Sequence, residues 1–245
     1  MAKTKYGVIK IKQPEFSPIE LLVVPHREDM DLTVACFGLN TYATNLKKME
    51  EFYFHPQTGE KISFREPTTS ESISASAYNF DGIAKPQIFD SKWLQAGRMV
   101  ITSEGVYVNP PKDEQGNPIT DVITLKSFLD KSKKVNGIYL CENDFGFASY
   151  ETFKKGVQES GDFAESGLAR ILEHTKEKTA EKLKKISSKK NYPIGVNVWR
   201  FDSVNKPILG VAGLFSGRGL DVRLLGFDGD DWLGDYLGYA FGALN

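Results

Sequence analysis

The chain has 245 residues, 40% hydrophobic and 26% charged, a balance that excludes a disordered or fibrous protein. At this length folding buries roughly 70% or more of the unfolded surface, so neither disulfides nor a structural metal are required for stability. The formal charge of −1 rules out a global field for nucleic acid, so any such contact would need a local basic patch.

In chain order, Tyr6 to Lys12 alternates apolar and polar residues as a half-buried strand does, and Ile19 to Val24 and Leu32 to Leu39 read as more interior strands. Thr41 to Lys48 is a short helix or a turn. Glu51 to Glu66 is the clearest hairpin, with strand-like Phe52 to His55 and Lys61 to Arg65 around the turn residues Pro56, Gln57, Thr58 and Gly59. Thr68 to Ser76, rich in serine and threonine, suits a loop or a capped helix equally. Trp93 to Gln95 is expected as a brief helical turn after Asp90. Arg98 to Thr102 and Val106 to Val108 form a second hairpin, stopped by Pro110 and Pro111.

The polar stretch Lys112 to Pro118 is the best linker, separating a strand-rich region 1–111 from a mixed region 119–245, although one continuous domain fits as well. Beyond it come a helix at Leu125 to Leu129, a strand at Gly137 to Cys141 and a helix at Tyr150 to Gln158. The most conspicuous pattern follows. Between Gly161 and Lys190, Leu168, Ile171, Leu172, Thr175, Thr179, Leu183 and Ile186 recur at steps of three and four, with Glu173, Glu177, Glu181 and Lys184 opposite. This predicts one long amphipathic helix whose stripe packs on a sheet. Val196 to Phe201, Ile208 to Leu214 and Val222 to Phe227 are strands, and the aromatic, glycine-rich Trp232 to Phe241 suits a docked helix or an assembly surface. The order favours an α+β fold with a strand-rich N-terminal half with hairpins and a mixed C-terminal half.

Five groups of residues have chemical potential. Gly213, Ser216, Gly217, Arg218 and Gly219 follow a strand; glycines let backbone N–H groups approach a phosphate and Arg218 adds charge, though the same glycines suit a plain turn. Asp228, Asp230 and Asp231, with Asp235, are oxygen ligands of the kind Mg²⁺ or Ca²⁺ takes, but also helix-capping residues. Glu142, Asn143 and Asp144 stand at the carboxyl end of a strand, where open sheets hold ligands and where turns also place polar residues. Asp81, Asp90 and Lys92 are a minimal metal-dependent nuclease set. Lys182, Lys184, Lys185, Lys189 and Lys190 end the long helix, where they complement its dipole or meet phosphates.

His26, His55 and His174 lack ligand-spaced partners, and Ser216-Gly217 lacks the strained elbow a serine nucleophile needs. His174 is expected on the polar side of the long helix. Cys36 and Cys141, each in an apolar run, read as buried thiols in a reducing compartment. The polar start, Met1 to Lys5, lacks the apolar core of a signal peptide, and no run approaches about 18 apolar residues. The resulting expectation is a cytoplasmic protein without a catalytic constellation that binds an anionic or phosphate-containing ligand, nucleic acid or a protein partner. Gly213, Ser216, Gly217, Arg218, Gly219, Lys185 and Lys189 are its contacts. A hydrolase or nuclease using the aspartates competes with it, as does an assembly protein forming a homo-oligomer through Trp232, Tyr236, Tyr239 and Phe241.

Overall fold

The computed structural model describes residues 8–11, 19–28, 30–55, 58–79, 93–188, 196–199, 201–216, 222–225 and 238–245. It contains both helices and sheets. In chain order come β1 (Val8–Ile11), β2 (Ile19–Arg27), β3 (Met30–Asn40), α1 (Tyr42–Glu50), β4 (Tyr53–Phe54), β5 (Lys61–Ile62), β6 (Phe64–Arg65) and α2 (Thr69–Tyr78). Next are β7 (Trp93–Ile101), β8 (Gly105–Val108), α3 (Val122–Leu129), β9 (Lys134–Val135), β10 (Ile138–Leu140), β11 (Gly146–Ser149) and β12 (Gly156–Gln158). The remainder is α4 (Ser160–Glu165), α5 (Gly167–Glu173), α6 (Glu181–Ser187), β13 (Val196–Trp199), β14 (Ile208–Ser216), β15 (Val222–Leu225) and β16 (Gly238–Leu244).

One sheet runs in the order β1-β2-β3-β16-β7-β14-β15-β13-β12, with strands from both halves of the chain. It forks at β7. One edge of β7 pairs with β14 along its length. The other is shared: Trp93 and Leu94 lie beside β16, whereas Met99, Val100 and Ile101 lie beside β8, which leads into β11, β10 and β9. The alternation of strand side chains feeds two layers. Val34 packs into the cluster under α2, α5 and α6, while Ala35 and Phe37 pack into a second cluster with Met49, Tyr53 and Phe64 under α1. Val100 and Tyr107 face a third, under α3.

The helix α2 is the central one. Thr68 caps it through a capping box with Glu71, and every residue from Thr69 to Ala77 is buried. It packs on β2, β7, α5 and α6. Its small serines allow that approach, and Ser74 and Ser76 satisfy their hydroxyls on the carbonyls of Ser70 and Ser72 at 2.9 and 2.8 Å.

The expected long helix is instead three short ones. Ser166 takes extended φ/ψ and accepts from the Ala169 N–H, starting α5 afresh after α4. His174 then ends α5 in the left-handed conformation, at φ 53°. The Arg170 guanidinium holds the turn that follows by donating to the Glu177 carbonyl at 2.6 Å. The apolar stripe itself is buried: Leu168, Ile171, Leu172, Leu183 and Ile186 are at most 1% exposed. Its periodicity is real, but the chain folds back along it.

Three other expectations change. Trp93 to Gln95 begins strand β7. Tyr150 to Gln158 is a 3₁₀ turn at Tyr150–Thr152 followed by strand β12. Gly238–Leu244 is a strand with Phe241 fully buried, so Phe241 belongs to the core and not to an assembly face. Trp232 and Tyr236 lie outside the described residues.

Candidate functional site

A bulge creates the site. Gly213 pairs with Gln95 and Ala212 with Gly97, which leaves Ala96 unpaired. The extra residue flips the side-chain parity of β7. Leu94 and Ala96 point toward the α2 layer before it, and Met99 and Ile101 after it, so Arg98 turns to the opposite face. Gly97 has φ 155°, and a Cβ there would stand 2.8 Å from Thr69 Cγ2; only glycine lets the first turn of α2 settle into the fork.

Between that first turn and the segment after β8 lies an open cleft of about 390 Å³. Glu66, Pro67 and Thr68 form one wall, Asn109, Pro110, Pro111 and Lys112 another, with Arg98 and Asn143 completing it. The Glu66 carboxylate is largely buried and takes three donors. Tyr42 donates its hydroxyl, Arg98 donates Nε at 2.7 Å, and Lys112 places Nζ at 3.2 Å. Burial first, and then the neighbouring Glu66 charge, push the Tyr42 pKa well above its ordinary value, so the phenol stays a donor. Two cations thus face one carboxylate whose hydrogen-bonding capacity is already engaged.

Behind the cleft lies a buried polar network centred on Asp144. Its carboxylate accepts from Thr68 Oγ1 at 2.6 Å and Ser70 Oγ at 2.5 Å, and pairs with Arg27. Its backbone carbonyl accepts from Asn109 Nδ2 at 2.9 Å, while Asn109 Oδ1 accepts from the Thr69 N–H at 3.0 Å. These bonds tie the 3₁₀ turn Glu142–Asp144 to the N-terminus of α2, where negative charge is favoured. On the flank, Arg65 makes two hydrogen bonds to Glu71, at 2.8 and 2.6 Å. Burial works against the Glu71 charge, but Arg65 and the Thr68 N–H outweigh it and hold the pKa below the ordinary carboxylate value.

Farther along α2, His26 Nδ1 lies 2.9 Å from Ser74 Oγ, and Lys182 Nζ donates to that oxygen at 2.9 Å. A serine, histidine and lysine in contact suggest a nucleophile. Ser74, however, is completely buried and sits within hydrogen-bond distance of the Ser70 carbonyl. A substrate has no route to it. Burial, with Lys182 and Arg27 nearby, lowers the His26 pKa to about 4. His174 is lowered to about 4 chiefly by burial and then by Arg27. Its Nε2 stands 3.9 Å from Asp144 Oδ1 and its Nδ1 is buried without a hydrogen-bond partner. His174 therefore faces inward, contrary to its expected place on a polar helix face. Lys182 is likewise drawn inward rather than lying on a solvated basic face: it donates to the His26 carbonyl at 2.5 Å.

Of the residues singled out in the sequence, Asp144 and Asn143 reach this site. Gly213 lies in the bulged stretch of β14, and Ser216 ends that strand opposite Val222. Gly217, Arg218, Gly219, Lys189, Asp81, Asp90, Lys92, Asp228, Asp230 and Asp231 lie outside the described residues. Lys185 is on α6 with its ammonium 4.5 Å from the Tyr78 ring centre, away from the cleft. Among the described residues no group of three or more His, Cys, Asp or Glu side chains could hold a metal, and no helix is long and apolar enough to cross a membrane. Arg98, Glu66, Lys112 and Tyr42 carried no sequence signal, because four separate stretches of the chain and a bulge bring them together.

No protein-family model and no curated protein matches the chain. A solved structure reported as the accommodation of massive sequence variation in Nanoarchaeota by the C-type lectin fold is similar over 87% of this chain and 98% of its own, at 14% identity and a TM-score of 0.50. The likeness is one of architecture: a mixed helix-and-sheet chain with the C-type lectin fold.

Proposed function

We propose that this chain is a binding protein whose cleft between α2 and the segment after β8 receives an anionic group. The observation that supports this is the charge balance of the cleft. Arg98 and Lys112 supply two positive charges and Glu66 one negative, and Tyr42 further satisfies Glu66. A ligand that brings acceptors complements that excess, whereas a cationic ligand would have to displace existing donors. Lys112, about half exposed, is the cation best able to turn toward a guest.

The test is a nuclear magnetic resonance titration of the whole chain with acetate and with inorganic phosphate. The expected result is saturable shifts at the Thr68, Asn109 and Lys112 amides, weakened about tenfold by Lys112→Ala, the lower end of the range for losing one hydrogen bond to a charged group. Shifts absent from the cleft with both ions overturn the reading.

The stretch from Gly213 through Ser216, Gly217, Arg218 and Gly219, with Lys185 and Lys189, is proposed as a second contact for phosphate or nucleic acid. Retention on a phosphate matrix unchanged by Arg218→Ala would reduce that stretch to a turn. The free thiols of Cys36 and Cys141 support the reading of a reducing, cytoplasmic setting.

A further inference from the structure

Arg98 is shared between two cavities. On one side is the charged cleft. On the other is a smaller pocket of about 170 Å³, walled by Tyr42, Ala43 and Leu46 of α1 and floored by Leu209, Gly210 and Val211 of β14. Apart from Arg98 and the Tyr42 hydroxyl, its side chains are apolar. That hydroxyl is committed to Glu66, on the cleft side. The bulge accounts for the arrangement: by turning Arg98 to the α1 face it sets the residue opposite Val211 in the β7–β14 ladder. Gly210 contributes no side chain to the floor. The volume equals about five or six water molecules' share of the liquid, enough for a branched four- or five-carbon group or a phenyl ring.

We propose that the ligand is an organic carboxylate bearing one compact apolar group, its carboxylate held by Lys112 and Arg98 and its apolar group seated between α1 and β14. The assignment rests on the reading of the cleft as an anion site and adds the nature of what is attached to the anion. Neither cavity alone specifies such a molecule. The cleft provides charge beside an open wall of prolines, and the smaller pocket provides the more enclosed apolar cover. Burial of the apolar group is the part that yields affinity, since a lone carboxylate exchanges water for protein donors with small net gain.

Calorimetric titration of the full chain with acetate, 4-methylpentanoate and the amide of 4-methylpentanoate tests this. The branched acid is expected to bind at least tenfold tighter than acetate, and the amide at least tenfold weaker than the acid. Ala43 is exposed on α1 and lines the pocket, so Ala43→Phe fills it without touching the core. That variant is expected to bind acetate unchanged while losing the advantage of the branched acid. Equal affinity for acetate and 4-methylpentanoate overturns this inference and leaves the anion reading standing. Failure of both acids to bind overturns both. Retention of the branched acid's advantage in Ala43→Phe overturns the placement. A dipeptide ending in a free leucine carboxylate, set against its amide, separates a peptide terminus from a free small acid as the source of the same chemistry.

Discussion

Removing the Asp144 carboxylate should be the most damaging single change at the site. Its side chain is 6% exposed and is the acceptor for two buried hydroxyls, those of Thr68 and Ser70. In Asp144→Ala both lose their acceptor. A buried, unsatisfied polar group costs about 1–3 kcal/mol. The two hydroxyls lie 3.2 Å apart and can partly satisfy each other, which favours the lower end of that range. Arg27 is about half exposed and recovers its hydration cheaply. Residue 144 has φ 61°, where alanine pays about 1 kcal/mol more than aspartate or asparagine. The sum is about 3–5 kcal/mol, which for a domain of this size lowers the melting temperature by roughly 10 °C. Asp144→Asn tolerates the left-handed backbone and keeps one acceptor oxygen, so its loss should be less than half as large. Thermal unfolding followed by circular dichroism of the three proteins measures this. A fall of under about 3 °C in Asp144→Ala would refute the reasoning, and equal falls in the two variants would show that backbone conformation, not hydrogen bonding, is the cause.

Acidification should destabilise the fold between about pH 6.5 and pH 4. His26 and His174 have pKa values of about 4 when folded and near 6.5 when unfolded, so the unfolded chain binds protons first and stability falls with pH across that window. Urea midpoints measured from pH 7.5 to pH 4 should fall, and His174→Asn, which tolerates φ 53°, should flatten the slope. Gly105→Ala would place a Cβ 2.2 Å from the Ala148 carbonyl oxygen, a backbone atom that cannot yield without separating β8 from β11; a melting temperature at least about 5 °C lower is expected. Gly161→Ala meets nothing within 4 Å in α4 and should be neutral or stabilising by about 0.5–1 kcal/mol. Cys36, pushed up to about 12 by burial, should resist alkylation in the folded protein at pH 8, and rapid labelling would contradict its placement.

Strands such as β1 and β3 were legible in the sequence from alternating or continuous apolar residues, and the second hairpin because glycine punctuates it and proline stops it, whereas the start of β7, β12 and β16 were not, since their pairing is long-range. Nor was the central helix. A helix buried all round carries no amphipathic stripe, and its run of serines resembles a loop until the hydroxyls of Ser74 and Ser76 are seen bonded within the helix and that of Ser70 held by Asp144. Conversely, the pattern from Leu168 to Ile186 reported a buried surface faithfully but not its continuity, since Ser166 and His174 break it by local conformation. Asp144 stood out as polar chemistry after a strand. Arg98 did not, because its direction depends on one unpaired residue, Ala96, in a long-range ladder.

The position of β16 has a consequence for biosynthesis. It lies between β3 and β7, antiparallel to the first and parallel to the second, although both precede it by well over a hundred residues. Until residues 238–244 leave the ribosome, the edges they will cover present bare amide and carbonyl groups to whatever strand comes by. The nascent protein must therefore wait with its middle open, and its dependence on holding chaperones should be set by the time taken to translate the stretch between β7 and β16 rather than by the stability of the folded protein.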